Sequence, residues 1–223
     1  MNWSEYKELS EKTLSTQFHC DDKKIELLLH AVMGILTETE ELLDNHLIQK
    51  DETNILEEVG DITWYLAIIG REYNLDFPTD LPLSNEDPMK IVISIIKQTC
   101  KLLDMLKKKL YYNKPINDES FKQISTLVMI LTQSYMNHYS IDIKGSFDIN
   151  IAKLKARYGS KFSSDKAINR DLEVERKILE SGGHDTQNGV VEDEVGIFPS
   201  ETNVYLDGMG INRRTDTTSR YLD

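Results

Sequence analysis

The sequence predicts an all-α protein: an antiparallel bundle built from two helical hairpins, the second degenerate, followed by C-terminal helices and a mostly irregular tail. Three observations predict it. Apolar residues between 22 and 76 recur at spacings of three and four, with Ile25, Leu28, Leu29, Val32, Met33, Ile35, Leu36, Leu42 and Leu43 in one run and Ile55, Val59, Ile62, Leu66 and Ile69 in the next, which is the period of one helix face. The pattern then restarts, with Ile91, Ile95, Ile96, Leu102, Leu103, Met105 and Leu106, and again with Phe121, Ile124, Leu127, Val128, Leu131 and Tyr135. Helix-breaking residues gather at the joints. Pro78, Pro82 and Pro88 mark a linker between the hairpins, and six of the 11 glycines lie from Gly182 onward.

Taken in chain order, residues 3–17 predict an N-terminal helix. A long helix follows from about residue 22, and Asp51, three residues before Asn54 and the Ile55 run, supplies the N-cap of its antiparallel partner, which ends near Tyr73-Asn74. After the proline linker come the two helices of the second hairpin. Residues 144–181 are basic, and Ile151 to Phe162 predict a short helix stopped at Gly159, then a turn and another helix from about Ser164 to Leu179. The domain is expected to span 1–181. Residues 182–223 form an acidic, glycine-rich tail with little periodicity, expected to be disordered or a docked extension.

The halves can be laid on each other. Thr37 to Asp44 falls on Lys97 to Asp104, and Tyr73-Asn74-Leu75-Asp76 on Tyr139-Ser140-Ile141-Asp142. This reads as a degenerate duplication of a hairpin. The copies differ chemically: where the first has Glu38, Glu41, Glu58 and Asp61, the second has Gln98, Lys101, Ile124 and Leu127.

Charge narrows the function classes. A net charge of −12 and a pI near 4.9 have the wrong sign for neutralising nucleic-acid phosphates, so direct nucleic-acid binding is not expected. Cys20 and Cys100 belong to no Cys-x-x-Cys pair, which argues against zinc and disulfide frameworks. The opening residues lack the basic and apolar regions of a signal peptide, and no apolar run has the length of a membrane span. A cytoplasmic protein with no membrane contact is the expectation.

Glu38 and Glu41 are three residues apart, as are Glu58 and Asp61. Residues at i and i+3 share a helix face, and a hairpin sets the two faces opposite each other, so four carboxylates converge. Left bare, such a group repels itself. An all-oxygen donor set without His or Cys suits a hard ion, so Mg²⁺, with Mn²⁺ as the alternative, is the expected cofactor. The competing reading is a solvated acidic face, which Glu5-x-x-Glu8 and Glu8-x-x-Glu11 exemplify. Glu38, however, sits within an apolar stripe, and Asp61 lies between Gly60 and the apolar run from Ile62 to Ile69. A mid-helix glycine costs about 1 kcal/mol, and its missing side chain admits a ligand or a partner helix beside Asp61.

Glu38-x-x-Glu41, a sixteen-residue gap and Glu58-Val59-Gly60-Asp61 resemble the Glu-x-x-Glu…Glu-x-x-Asp signature of the MazG-like all-α nucleoside triphosphate pyrophosphohydrolases, the superfamily that includes dimeric dUTPase-like and phosphoribosyl-ATP pyrophosphohydrolase enzymes. Lys153-Leu154…Arg157-Tyr158…Lys161-Phe162…Asn169-Arg170-Asp171 is similar to a block downstream in bacterial and phage members. The resemblance covers about residues 1–180. It implies cleavage of a nucleoside triphosphate or related nucleotide between the α- and β-phosphates, with Glu38, Glu41, Glu58 and Asp61 as catalytic metal ligands, and a homodimer or homotetramer. Lys153, Arg157, Lys161 and Arg170 are the candidate phosphate ligands, the other reading being ordinary surface charge. Trp64 and Tyr65 could stack on a base or fill the core. His30 could face the same cleft or be an ordinary helix histidine, and Asn169 could bond the nucleotide or cap a helix. Thr37 departs from the pattern, because several members have Glu there. The alternative function is an inactive helical interaction module that kept the fold.

Overall fold

The computed structural model describes residues 1–20, 22–49, 51–159 and 162–182. Among them all regular structure is helical: α1 (Trp3–Glu11), α2 (Lys23–Asp44), a π-helical turn (Asn45–Gln49), α3 (Glu52–Tyr73), α4 (Pro88–Tyr112), α5 (Asp118–His138), α6 (Ile143–Tyr158), α7 (Ser164–Ile168) and α8 (Leu172–Glu180). The chain divides into two units, residues 1–150 and 151–223. No helix among the described residues is long and apolar enough to cross a membrane.

In the first unit α2 pairs with α3 and α4 with α5, while α2 also packs on α4 and α3 on α5. The result is a four-helix bundle. Its core is drawn largely from the apolar set that the periodicity selects: Leu28, Val32, Ile35 and Leu42 from α2, Val59, Ile62, Leu66 and Ile69 from α3, Ile91, Ile95, Leu102 and Leu106 from α4, and Phe121, Val128 and Tyr135 from α5 are all buried, with Met136 beside them. Burying each such side chain contributes roughly 1.5–3 kcal/mol. Met33 and Leu127, on the apolar stripes by sequence, are instead exposed.

Polar residues define the helix ends. The Asp51 carboxylate accepts from the Thr53 N–H at 2.9 Å and caps α3, and Asp87 followed by Pro88 starts α4. Asn45, almost fully buried, spans the hairpin turn: its amide donates to the Asp51 carbonyl at 2.8 Å and its carbonyl oxygen accepts from the Asp51 N–H at 3.1 Å. Asn74 and Asn113 end α3 and α4 in the left-handed region, at φ 53° and 51°.

Contacts at the bundle ends fix the topology. Lys24, at the start of α2, lies 3.9 Å over the Tyr73 ring at the end of α3, and the Tyr73 hydroxyl donates to Asp118, at the start of α5, at 2.8 Å. The His19 N–H donates to the carbonyl of Leu110, near the end of α4. So α2 and α5 run one way and α3 and α4 the other, and residues 74–87 must traverse the bundle. At about 3.3 Å per residue that segment outreaches the roughly 33 Å length of the 22-residue α3.

The two hairpins share local features at positions superposed by sequence. Ile35 and Thr39 in α2 match Ile95 and Thr99 in α4, and both buried threonine hydroxyls donate to the isoleucine carbonyl four residues back. Asn74 and Ser140, superposed by sequence, both adopt positive φ, 53° and 54°.

Three elements differ from expectation. The short helix expected from Ile151 to Gly159 begins eight residues earlier, as α6 from Ile143. The N-terminal helix stops at Glu11, where Ser10 and Thr13 hydroxyls turn back onto backbone carbonyls, and α1 buries no residue. The helix expected over 164–179 is two helices: Asn169 ends α7, and Asp171 starts α8 by accepting from the Val174 N–H. The tail expectation for 183–223 lies outside the described residues.

Candidate metal centre

The antiparallel pairing of α2 and α3 brings Glu38 opposite Glu58 and Asp61. One carboxylate oxygen from each lies within 4.8 Å of the other two, and among the described residues this is the group of His, Cys, Asp and Glu side chains that could hold an ion. Glu38 and Asp61 are half-buried, and Glu58 keeps 9% of its surface. Glu41, one turn beyond Glu38, is exposed and outside this trio. Its charge still reaches the site. Burial, then the charges of Glu41, Glu38, Asp61 and Glu57, push the Glu58 carboxyl up to about 9. The protein by itself therefore favours a proton, or another cation, among these acids.

Two small residues set how closely the neighbours approach. At Gly60 an added Cβ would stand 3.0 Å from the Asn150 side-chain nitrogen. Asn150, buried on α6, uses that nitrogen to donate to Asp61 Oδ1 at 2.7 Å. The partner helix that the glycine admits is thus α6. At Gly34 an added Cβ would fall 2.2 Å from the Tyr65 ring, so the ring lies directly on the α2 backbone. Thr37, between Gly34 and Glu38, donates to the Gly34 carbonyl at 2.9 Å, with Glu38 Oε1 at 3.3 Å from its hydroxyl.

Tyr65 belongs to a ring cluster with its two sequence-selected companions. Its centroid is 5.3 Å from that of His30 and 5.0 Å from that of Trp64, both edge-on. All three are half-buried, and burial lowers the His30 pKa, favouring the neutral ring. His30, Gly34, Glu38 and Glu41 follow one another at helical spacing on α2, as Glu58, Asp61 and Tyr65 do on α3. One continuous face therefore carries an aromatic end and an acidic end.

The basic residues belong to the second unit. Lys153 is fully buried on α6. Arg157 grips Glu175 through two bonds, Nε to Oε1 at 2.8 Å and Nη2 to Oε2 at 2.6 Å, and Arg170 Nη2 donates to the same Oε2 at 2.6 Å. Glu175 is buried. Burial raises its carboxyl pKa, but the two guanidiniums outweigh that and hold it below the ordinary range. Arg157 and Arg170 therefore come together on an internal carboxylate. Asn169 is exposed at the end of α7 and bonds Asp165 at 2.9 Å; Lys161 lies outside the described residues.

In the second hairpin Lys101 donates to Gln98 at 2.9 Å, and Ile124 and Leu127 stand at the positions matching Glu58 and Asp61. Sequence reasoning missed three residues that shape these surroundings: Asn150, Gly34 and Glu175. The available signals were an amide between Ile149 and Ile151, a glycine within the α2 apolar stripe, and an acid in a basic stretch.

Comparison of the chain with family models, with curated proteins and with solved structures gives no match. The resemblance rests on its motif residues alone.

Proposed function

We propose that this chain is a Mg²⁺-dependent nucleotide pyrophosphohydrolase of the MazG-like kind, converting a ribo- or deoxyribonucleoside triphosphate, or a related nucleotide, into the monophosphate and pyrophosphate. The observation that carries this reading is the convergence of Glu38, Glu58 and Asp61 within 4.8 Å beside an aromatic cluster.

The donor set fits the ion. Three converging carboxylates, with no His or Cys among them, are the hard oxygen donors that such a cation takes. When bound, divalent ions supply charge neutralisation of the triphosphate and Lewis-acid activation of a water. Glu38, Glu58 and Asp61 would hold the cation, with Glu41 within electrostatic reach of the site, and its charge would offset the repulsion that otherwise keeps a proton on Glu58. His30, Trp64 and Tyr65 offer flat apolar surface at the same face, suited to a nucleobase. Lys153, Arg157 and Arg170 are the side chains that the resemblance assigns to the phosphates.

The same reading places the protein in the cytoplasm as a homodimer or homotetramer. The exposed Trp3, Tyr6 and Leu9 on α1 are apolar surface of the kind that assembly covers. Thr37, where an acid stands in several family members, favours the second reading, an inactive interaction module.

A purified-protein screen against a nucleotide panel with Mg²⁺, scoring pyrophosphate, separates the two. Release from at least one nucleotide, lost in Glu38→Gln, supports the enzyme. No release from any supports the module.

A further inference from the structure

We infer that Asn150 is the positioning residue of the candidate metal centre, holding the Asp61 carboxylate in its ligating orientation, and that Gly60 is the gap in α3 through which it does so. The inference rests on the metal reading proposed above.

The side-chain nitrogen of Asn150 donates to Asp61 Oδ1 at 2.7 Å across 89 positions of sequence, and Asn150 keeps only 5% of its surface. A buried amide in that place does what the neighbouring residue types cannot. It donates without carrying charge, so it fixes the carboxylate plane yet leaves the negative charge of the site intact for a cation. Lysine there would supply the counter-charge itself, and aspartate would add repulsion. Outer residues that orient a ligating side chain typically change metal affinity 10–100-fold when removed.

Gly60 makes the contact geometrically available. An added Cβ would lie 3.0 Å from the Asn150 nitrogen and 3.3 Å from its Cβ. Glycine is a poor helix former, and Gly60 sits in mid-α3 with ordinary helical backbone on both sides. Its local cost is offset by the close approach of Asn150.

The alternative is that the bond merely fastens α6 to α3. The two substitutions separate these roles because they act oppositely on the fold. Gly60→Ala improves helix propensity while pressing the Asn150 side chain back by a few tenths of an ångström; Asn150→Ala removes the amide.

The test is Mn²⁺ titration of the full chain, followed by loss of the free-ion electron paramagnetic resonance signal, with circular dichroism melts in excess chelator alongside. Ser146→Ala serves as the packing control, since Ser146 is buried on the same helix with its hydroxyl unbonded. The expectation is a Kd about 10–100-fold weaker for Asn150→Ala, a smaller weakening in the same direction for Gly60→Ala without a lower melting temperature, and wild-type affinity for Ser146→Ala. In the Asn150→Ala background, Gly60→Ala should weaken binding no further.

Wild-type affinity in Asn150→Ala overturns the inference while leaving the metal reading standing. Should Asn150→Ala not fold, wild-type affinity in Gly60→Ala overturns it instead. Absence of Mn²⁺ binding by the wild-type chain overturns both readings.

Discussion

At Glu58 burial and the surrounding carboxylates act in the same direction, raising its pKa from the ordinary 4.5 to about 9. The folded protein thus keeps a proton that the unfolded chain releases, and folding stability without metal falls as pH rises from about 4.5 to about 9. Each pKa unit corresponds to about 1.4 kcal/mol, so a fraction of this shift is measurable. Urea midpoints in chelator should decline between pH 5 and 9, and Glu58→Gln, which cannot ionise, should flatten the decline. An unchanged slope in the variant would assign the effect elsewhere. Glu38→Gln and Asp61→Asn should abolish Mg²⁺-dependent turnover yet leave the helical circular dichroism intact, because each removes a ligand charge and keeps the side chain's shape. Loss of the helical signal would make these acids structural. The acids were legible as residues because i, i+3 spacing is a local property. Asn150 was not, because its partner lies 89 positions away and nothing in the local spacing marks it.

The α2–α3 hairpin is the element that joins the two ends of the candidate site, and Gly34 is its tightest point. Gly34→Ala would drive a methyl into the Tyr65 ring, whose nearest atom would stand 2.2 Å away. Overpacking of this kind costs typically about 1–3 kcal/mol, and chemical denaturation should register it together with a changed Tyr65 environment. The α4–α5 hairpin lacks the acids, so Gln98→Ala and Lys101→Ala should alter turnover far less than Glu38→Gln; comparable losses would give the second hairpin a chemical role. In the second unit Glu175 joins Arg157 and Arg170. Removing one partner of a buried ion pair costs about 3–5 kcal/mol, so Glu175→Gln should loosen α8, visible as faster amide exchange over 172–180; unchanged protection would contradict this. The basic stretch was legible as charge, but its internal cancellation was not, since pairing depends on how α7 and α8 fold back. Their separation into two helices turns on the cap at Asp171, which is locally readable beside Asn169 and was overridden by the apolar spacing around it.

For the whole molecule, periodicity and the proline linker carried the all-α class and the pairing within each hairpin. The relative direction of the two hairpins depends on the crossover at 74–87, which local spacing does not encode, and is fixed by contacts such as Lys24 with Tyr73 and Tyr73 with Asp118. The proposed reaction is a phosphoanhydride cleavage by an acidic protein of net charge −12, in which cations held by the first hairpin would mediate between protein and polyanion. Phosphorus-31 nuclear magnetic resonance of the full chain with Mg²⁺ and a nucleoside triphosphate that it turns over tests this most directly. The expected result is one pyrophosphate resonance appearing in step with the nucleoside monophosphate, and no reaction in excess chelator. Orthophosphate appearing with the diphosphate, or undiminished turnover in chelator, would contradict it.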